Sequence, residues 1–263
     1  MAITLYKNEY KHNQYTLQSV SNALDILDLL TQYPDLSIAE VSKCLNLGKT
    51  TVFRLLTTLE QHHYLAKDAN SRYRLSFKLA GIGDAVTRRN EVIHIVHPYL
   101  ERISNKFNET SHLLVWQSSS NVVVIDRVIG QSPISYKTIV GFTTPAHVAA
   151  SGRALLAFST PQFIDDYIKT VDFSLCDNNV KNKEELYELL DEIRANGVAK
   201  SEGNAVPGLN CYAVPIFNRD DKAIASISVS GAQASLERIE NDIIDELKAS
   251  VHHIQNDIIN GMF

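Results

Sequence analysis

The residues best placed to do chemistry lie between Lys49 and Thr58. In Lys49-Thr50-Thr51-Val52-Phe53-Arg54-Leu55-Leu56-Thr57-Thr58-Leu59, the apolar residues Val52, Leu55, Leu56 and Leu59 fall at helical spacing and define one face. Turned inward, they leave Lys49, Thr50, Thr51, Phe53, Arg54, Thr57 and Thr58 outside, a surface without a carboxylate. Hydroxyls and helix N-terminal amides can bind phosphate, and a guanidinium can reach a guanine edge or another phosphate. These are the groups a helix needs in a DNA major groove. A second basic set follows. Tyr64-Leu65-Ala66-Lys67 and Arg72-Tyr73-Arg74-Leu75 flank the turn-rich Asp68-Ala69-Asn70-Ser71 and predict a hairpin. Period-two alternation then sends Arg72 and Arg74 away from the core, toward a phosphate backbone. From Lys43 to Arg89 there are nine basic residues against three acidic ones, so the local field is positive.

Three elements must hold these groups. Val20, Ala23, Leu24, Leu27 and Leu30 predict a first helix that stops at Tyr33-Pro34-Asp35, because proline disfavours helix in the residue before it. Ser37-Ile38-Ala39-Glu40 is a capping box that starts a short second helix with Ile38, Val41 and Leu45 inward, and it puts Ser37 beside the DNA-facing set. Leu45-Asn46-Leu47-Gly48 is the turn into the third helix, which completes a helix-turn-helix with a wing. Small helical domains that never touch DNA also have polar outer faces. Such faces usually mix both charge signs, whereas this one has no acid. One recognition helix contacts only a few base pairs, so a homodimer or a dimer of dimers on double-stranded operator DNA is expected.

The 263 residues are 44% hydrophobic, enough for a real core, and carry a net charge of −5. That charge is divided unevenly. Met1 to Asn90 holds 11 basic and 8 acidic residues, and Glu91 to Phe263 holds 14 and 22. Two domains are the simplest reading. Cys44, Cys176 and Cys211 are odd in number and far apart, which fits reduced thiols better than a disulfide or zinc framework. The first twenty residues contain no apolar leader segment and no long uncharged apolar run follows, so a cytoplasmic protein without membrane contact is expected.

Beyond the wing, helical spacing runs from Ile82 to Phe107 and is interrupted at His97-Pro98. This predicts a linker helix ending near Val96 and a new helix from Pro98. The expected domains are residues 16–78 for DNA, 79–97 for the linker and 98–263 for a larger unit. Runs rich in branched and aromatic residues at Leu113 to Gln117, Val122 to Val128, Ile134 to Val140, Asn210 to Phe217 and Lys222 to Ser230 predict strands. Helices are expected around His147 to Phe158, Pro161 to Lys169, Lys183 to Asn196 and the C-terminus, giving an α+β fold with an antiparallel sheet. A ligand would sit where Thr143-Thr144-Pro145 turns into the helix beginning near Ala149, since the amides of Ala150 and Ser151 favour negative charge. Ser226, Ser228 and Ser230 alternate onto one strand face and suit an oxygen-rich ligand. Trp116, Asp126 and Arg127 can line such a pocket, although an ion pair on an edge strand explains the last two equally well.

The stretch Leu47 to Leu59 with Tyr64-Leu65 and Tyr73-Arg74-Leu75 resembles the DNA-binding half of the IclR family of regulators. Pro145 to Ala157 resembles that family's effector-domain signature. Gly208 to Phe217 and Ser226 to Gly231 resemble its last two strands, so the likeness runs from about Thr16 to the C-terminus. It implies a GAF-like sensor domain and a small-molecule effector, a carboxylate or sugar acid, bound through positions matching Ala150, Ser151, Ser201, Cys211, Ser228 and Ser230. It also implies a repressor of a catabolic operon. Some members with short acid ligands carry an acid where Ser201 stands and a glycine-alanine pair at Ala150-Ser151, so the particular ligand does not transfer.

Enzymatic readings are weaker. Ser151 with His147 or His112 is the best nucleophile and base, but no G-x-S-x-G elbow surrounds it. His62-His63 and His252-His253 are adjacent and would diverge on a helix, and Gly81-Ile82-Gly83 lacks the rest of a dinucleotide fingerprint. No catalytic residue, metal or cofactor is expected. The alternatives to a regulator are a metabolite-binding scaffold without DNA binding and a Ser151-dependent hydrolase.

Overall fold

The computed structural model describes residues 15–133, 138–175, 180–203 and 206–260, in two units that divide between Arg89 and Asn90. No helix among the described residues is long and apolar enough to cross a membrane.

The first unit contains α1 (Gln18–Gln32), α2 (Ile38–Leu45), α3 (Lys49–Gln61), β1 (Leu65–Lys67), β2 (Tyr73–Leu75) and α4 (Phe77–Thr87). Helix α1 ends because Tyr33, before Pro34, is extended at φ −126° and ψ 137°. The capping box forms as expected: Ser37 N–H donates to Glu40 Oε2 at 2.7 Å, and Glu40 N–H donates to Ser37 Oγ at 3.4 Å. Asn46 closes α2 in the left-handed region at φ 52°, a conformation asparagine tolerates. Ile26, Leu29, Val41, Val52, Leu56 and Tyr73 are buried together and set the three helices around one core. In the hairpin, Leu65 lies opposite Leu75 and Lys67 opposite Tyr73, while Asp68 Oδ1 accepts from the N–H groups of Asn70 and Arg72 at 2.9 and 2.8 Å. Two backbone bonds between Tyr73 and Leu36, 2.8 and 2.9 Å, dock the wing on the segment before α2.

The second unit comprises α5 (Glu91–Phe107), β3 (Thr110–Trp116), β4 (Asn121–Val128), β5 (Thr143–Pro145), α6 (Ala150–Ala157), α7 (Pro161–Thr170), α8 (Lys183–Asn196), β6 (Ala199–Glu202), β7 (Leu209–Phe217), β8 (Ala223–Ala232), α9 (Gln233–Leu236) and α10 (Glu240–Asn260). The six strands form one antiparallel sheet in the order β5-β4-β3-β8-β7-β6. Alternation divides its side chains between two cores. Leu113, Tyr212, Val214, Ile227 and Val229 pack with residues of α5 and α10, whereas Leu114, Val122, Val124 and Ala213 pack with residues of α6, α7 and α8. The α+β expectation holds.

Three local expectations are corrected. The helix break falls at Arg88 to Asn90, and α5 runs through Pro98 without ending. Pro98 and His94 both lie on the exposed side of α5, so the carbonyl that Pro98 cannot bond meets solvent, while Val96, Leu100 and Ile103 hold the other side in the core. Residues 134–137 of the strand expected at Ile134 to Val140 lie outside the described residues. Thr138 to Val140 are not strand, and the third ladder is β5, where a turn was expected. Strand β6 was not anticipated, because Ala199-Lys200-Ser201-Glu202 contains no β-branched or aromatic residue.

Candidate functional site

Helix α3 presents the surface its periodicity implies. Val52 and Leu56 are fully buried, and Lys49, Thr50, Thr51, Phe53, Arg54 and Thr58 are exposed, with Thr57 half-buried. Leu55 and Leu59 are only half-buried, because they line an apolar groove with Val20, Leu24 and Leu27 of α1. Gly48 supplies no side-chain cap to α3, which leaves its first amides for a phosphate. Thr58 Oγ1 donates to the Arg54 carbonyl at 2.8 Å, while the Arg54 side chain stands in solvent.

Two of the nominated DNA contacts have other employment. The Arg72 guanidinium pairs with Asp35 and, at 3.0 Å, with Glu40, although alternation had placed it on the phosphate-facing side. The Ser37 hydroxyl donates to Glu40 Oε2 at 2.7 Å, and bonds from the Ser37 amide and hydroxyl, with Arg72 beside them, hold the Glu40 carboxyl below the usual range. Period-two geometry gives the face of a strand but not the acids opposite it. Ser37 and Arg72 therefore brace the wing, and Arg74 is the exposed hairpin arginine.

In the second unit the register brings the nominated effector residues onto one face. Ser201 lies opposite Cys211 and Cys211 opposite Ser230, and Ser228 stands in the adjacent row opposite Ala213. Helix α6 covers this face: Ala150 and Ser151 are buried at its start, Ala149 provides no side-chain cap, and Ser226 Oγ donates to the Ser151 carbonyl at 3.1 Å. Gly152 permits this seating, since a Cβ there would stand 2.4 Å from the Ala146 carbonyl oxygen. Burial pushes the Cys211 thiol up to about 11, partly offset by the Ser228 hydroxyl within hydrogen-bonding reach, so it is a neutral, unreactive group.

Strand β3 adds His112 and Thr110 to this face. His112 lies opposite both Ser228 and Arg127, and Thr110 lies opposite Ser230. His112 Nε2, Arg127 Nη1 and Ser230 Oγ are buried without hydrogen-bond partners among the described residues. The ion pair weighed for Asp126 and Arg127 is absent. Asp126 turns to the other face and its Oδ2 meets His97 Nδ1 at 2.7 Å. Ser230 was expected from strand alternation, whereas Arg127 was marked only as a possible pocket residue and His112 only as a possible base for Ser151.

A hydrolytic arrangement around Ser151 is not assembled. His147 Nδ1 lies 2.7 Å from the Tyr167 hydroxyl, which also accepts from the His147 N–H at 2.9 Å. No hydrogen bond joins Ser151 to His147 among the described residues, and burial pushes His147 down to about 4. No group of three or more His, Cys, Asp or Glu residues could hold a metal among the described residues.

A hairpin wing and a third helix whose first turns, from Lys49 to Thr58, expose hydroxyls, a lysine and an arginine without an acid, followed by a domain whose serines share a sheet face under a helix start, define a helix-turn-helix transcriptional regulator. Two family models match the chain: the IclR helix-turn-helix domain over residues 19–69, and the bacterial transcriptional regulator IclR C-terminal domain over residues 84–258. Among curated proteins, the HTH-type transcriptional regulator XynR of Escherichia coli is 29% identical over 228 residues, 85% of this chain and 90% of XynR. The crystal structure of the Thermotoga maritima IclR is similar with a TM-score of 0.77 and 27% identity, covering 92% of this chain and 99% of that one. An IclR homolog from Microbacterium hydrocarbonoxydans, complexed with 4-hydroxybenzoate, shares the fold at a TM-score of 0.75 and 19% identity, over 92% of this chain and 98% of its own. The protein belongs to the IclR family.

Proposed function

We propose that this chain is a cytoplasmic, dimeric or tetrameric repressor of a catabolic operon, released from its operator by a small organic acid. The observation that carries the DNA half is the exposed face of α3: Lys49, Thr50, Thr51, Phe53 and Arg54 with no acid among them, above a buried Val52 and Leu56. Residues 16–78 make the DNA contacts, and a GAF-like domain within residues 98–263 holds the effector. The first unit has its own closed core and can present α3 without a ligand, and in a repressor the ligand weakens operator binding. For that, the ligand must bind more tightly to one arrangement of the intervening α4 and α5 than to another. An acidic ligand is supported by the uncapped α6 start, by the row Ser201, Cys211, Ser230, and by the fold-mate that carries 4-hydroxybenzoate.

The test is fluorescence anisotropy with duplex DNA from upstream of the protein's own gene. Affinity is expected to fall steeply and linearly in log-log form as salt rises from about 50 to 200 mM, and to fall further on addition of an effector acid. Salt-independent or absent binding would contradict the reading.

A further inference from the structure

We propose that Arg127, with His112 and Ser230, forms the carboxylate-binding end of the effector site, and that the ligand is a 2-hydroxy acid or sugar acid seated with its carboxylate on Arg127. This deepens the ligand-sensing reading above and rests on it. Arg127, His112 and Ser228 stand side by side in one row of β4, β3 and β8, and Ser230 is in the next row of β8. On the face they share, none of the described residues of β3, β4, β7 or β8 is acidic. Asp126, the neighbouring residue in β4, points through the sheet to His97, and the buried Glu109 carboxylate lies against Gly231, whose side of the sheet alternates with that of Ser230. The other arginine near this face, Arg153, is held by the carbonyls of His147 and Lys200 at 2.8 Å each. A guanidinium nitrogen buried without a partner is expensive to maintain, and a bound anion would satisfy it.

The neighbours set the class of anion. Burial and the Arg127 charge push His112 down to about 4, so at neutral pH the imidazole adds no second positive charge. One guanidinium then matches a singly charged carboxylate better than a dianionic phosphate. His112 Nε2 and Ser230 Oγ, both buried and unpaired, can exchange hydrogen bonds with a hydroxyl beside that carboxylate. Arginine's planar fork suits the two carboxylate oxygens.

The experiment is a thermal-shift titration of the full chain, wild type and Arg127→Met, with glycolate, glycerate and gluconate, and with glycerol and inorganic phosphate as controls. At least one acid should raise the wild-type melting temperature by about 5 °C at a hundredfold excess over its Kd. Arg127→Met should melt no lower than wild type without ligand and show no shift with that acid. Should Arg127→Met fail to fold, Arg127→Lys is expected to fold and to bind the acid at least tenfold more weakly. Equal shifts in wild type and variant would overturn the assignment of Arg127 while leaving ligand sensing intact. A shift by phosphate or glycerol, with none by any acid, would overturn the carboxylate class. No shift by any probe would also overturn it, and operator binding on the same samples would show separately whether the regulator reading stands.

Discussion

The guanidinium of Arg72 lies against the carboxylate of Asp35, joining the start of the second hairpin strand to the turn between α1 and α2. Glu40 meets the same guanidinium at 3.0 Å, and both acids already serve the helix-turn-helix: one follows the Pro34 break and the other closes the capping box. The wing is thus braced against the two helices that aim α3.

Arg72 and Arg74 should therefore behave differently although they are two residues apart. Arg74→Ala is expected to lower the slope of log affinity against log salt by about 1, because it removes one phosphate contact. Arg72→Ala should leave that slope unchanged and lower the unfolding midpoint slightly, because it removes a solvent-screened ion pair that braces the wing. Anisotropy titrations at several salt concentrations, with urea unfolding of each variant, distinguish the two roles.

The effector domain should lose stability in acid because of two buried histidines. His112 and His147 sit near 4 in the folded chain and near 6.5 when unfolded. Between those values the unfolded state binds more protons. Their contribution is therefore complete above about pH 6.5 and declines as pH falls toward about 4, by on the order of 2–3 kcal/mol per histidine. Melting temperatures measured across that range should fall, and His112→Gln should flatten the slope. A slope equal to wild type would remove His112 from the buried, neutral set.

Gly152→Ala tests the seating of α6. The added Cβ would meet the backbone of Ala146 at 2.4 Å, and a carbonyl cannot move aside as a side chain can. A loss of about 1–3 kcal/mol is expected, with a weakened effector response, while the first unit keeps its operator contacts. Calorimetry that resolves the unfolding of the two units reads this directly.

Legibility from sequence followed the range of the interactions. The three-helix core was readable because Val52 and Leu56, Ser37 and Glu40, and Tyr33 and Pro34 are each within a turn or so of one another, so spacing alone set their geometry. The apolar runs of β3, β4, β7 and β8 were readable for the same reason. What escaped was decided between distant segments. Arg72 meets an acid 37 residues away, and His112 meets Ser228 across a ladder that no local period announces. Pro98 broke the expected helix only on paper, because which side of α5 faces solvent depends on the sheet packed behind it. The family resemblance pointed to Ser201, Cys211, Ser228 and Ser230, which the strand register brings onto one face, but not to Arg127, whose Nη1 is buried without a partner among the described residues.

The exposed face of α3 is tested most directly by Arg54→Ala, with affinity measured for the upstream duplex and for a scrambled duplex of equal length. A loss of about 5- to 150-fold, corresponding to about 1–3 kcal/mol, is expected on the upstream duplex, with a smaller loss on the scrambled one. Unchanged affinity for both, or an equal loss on both, would contradict Arg54 reading bases from that helix.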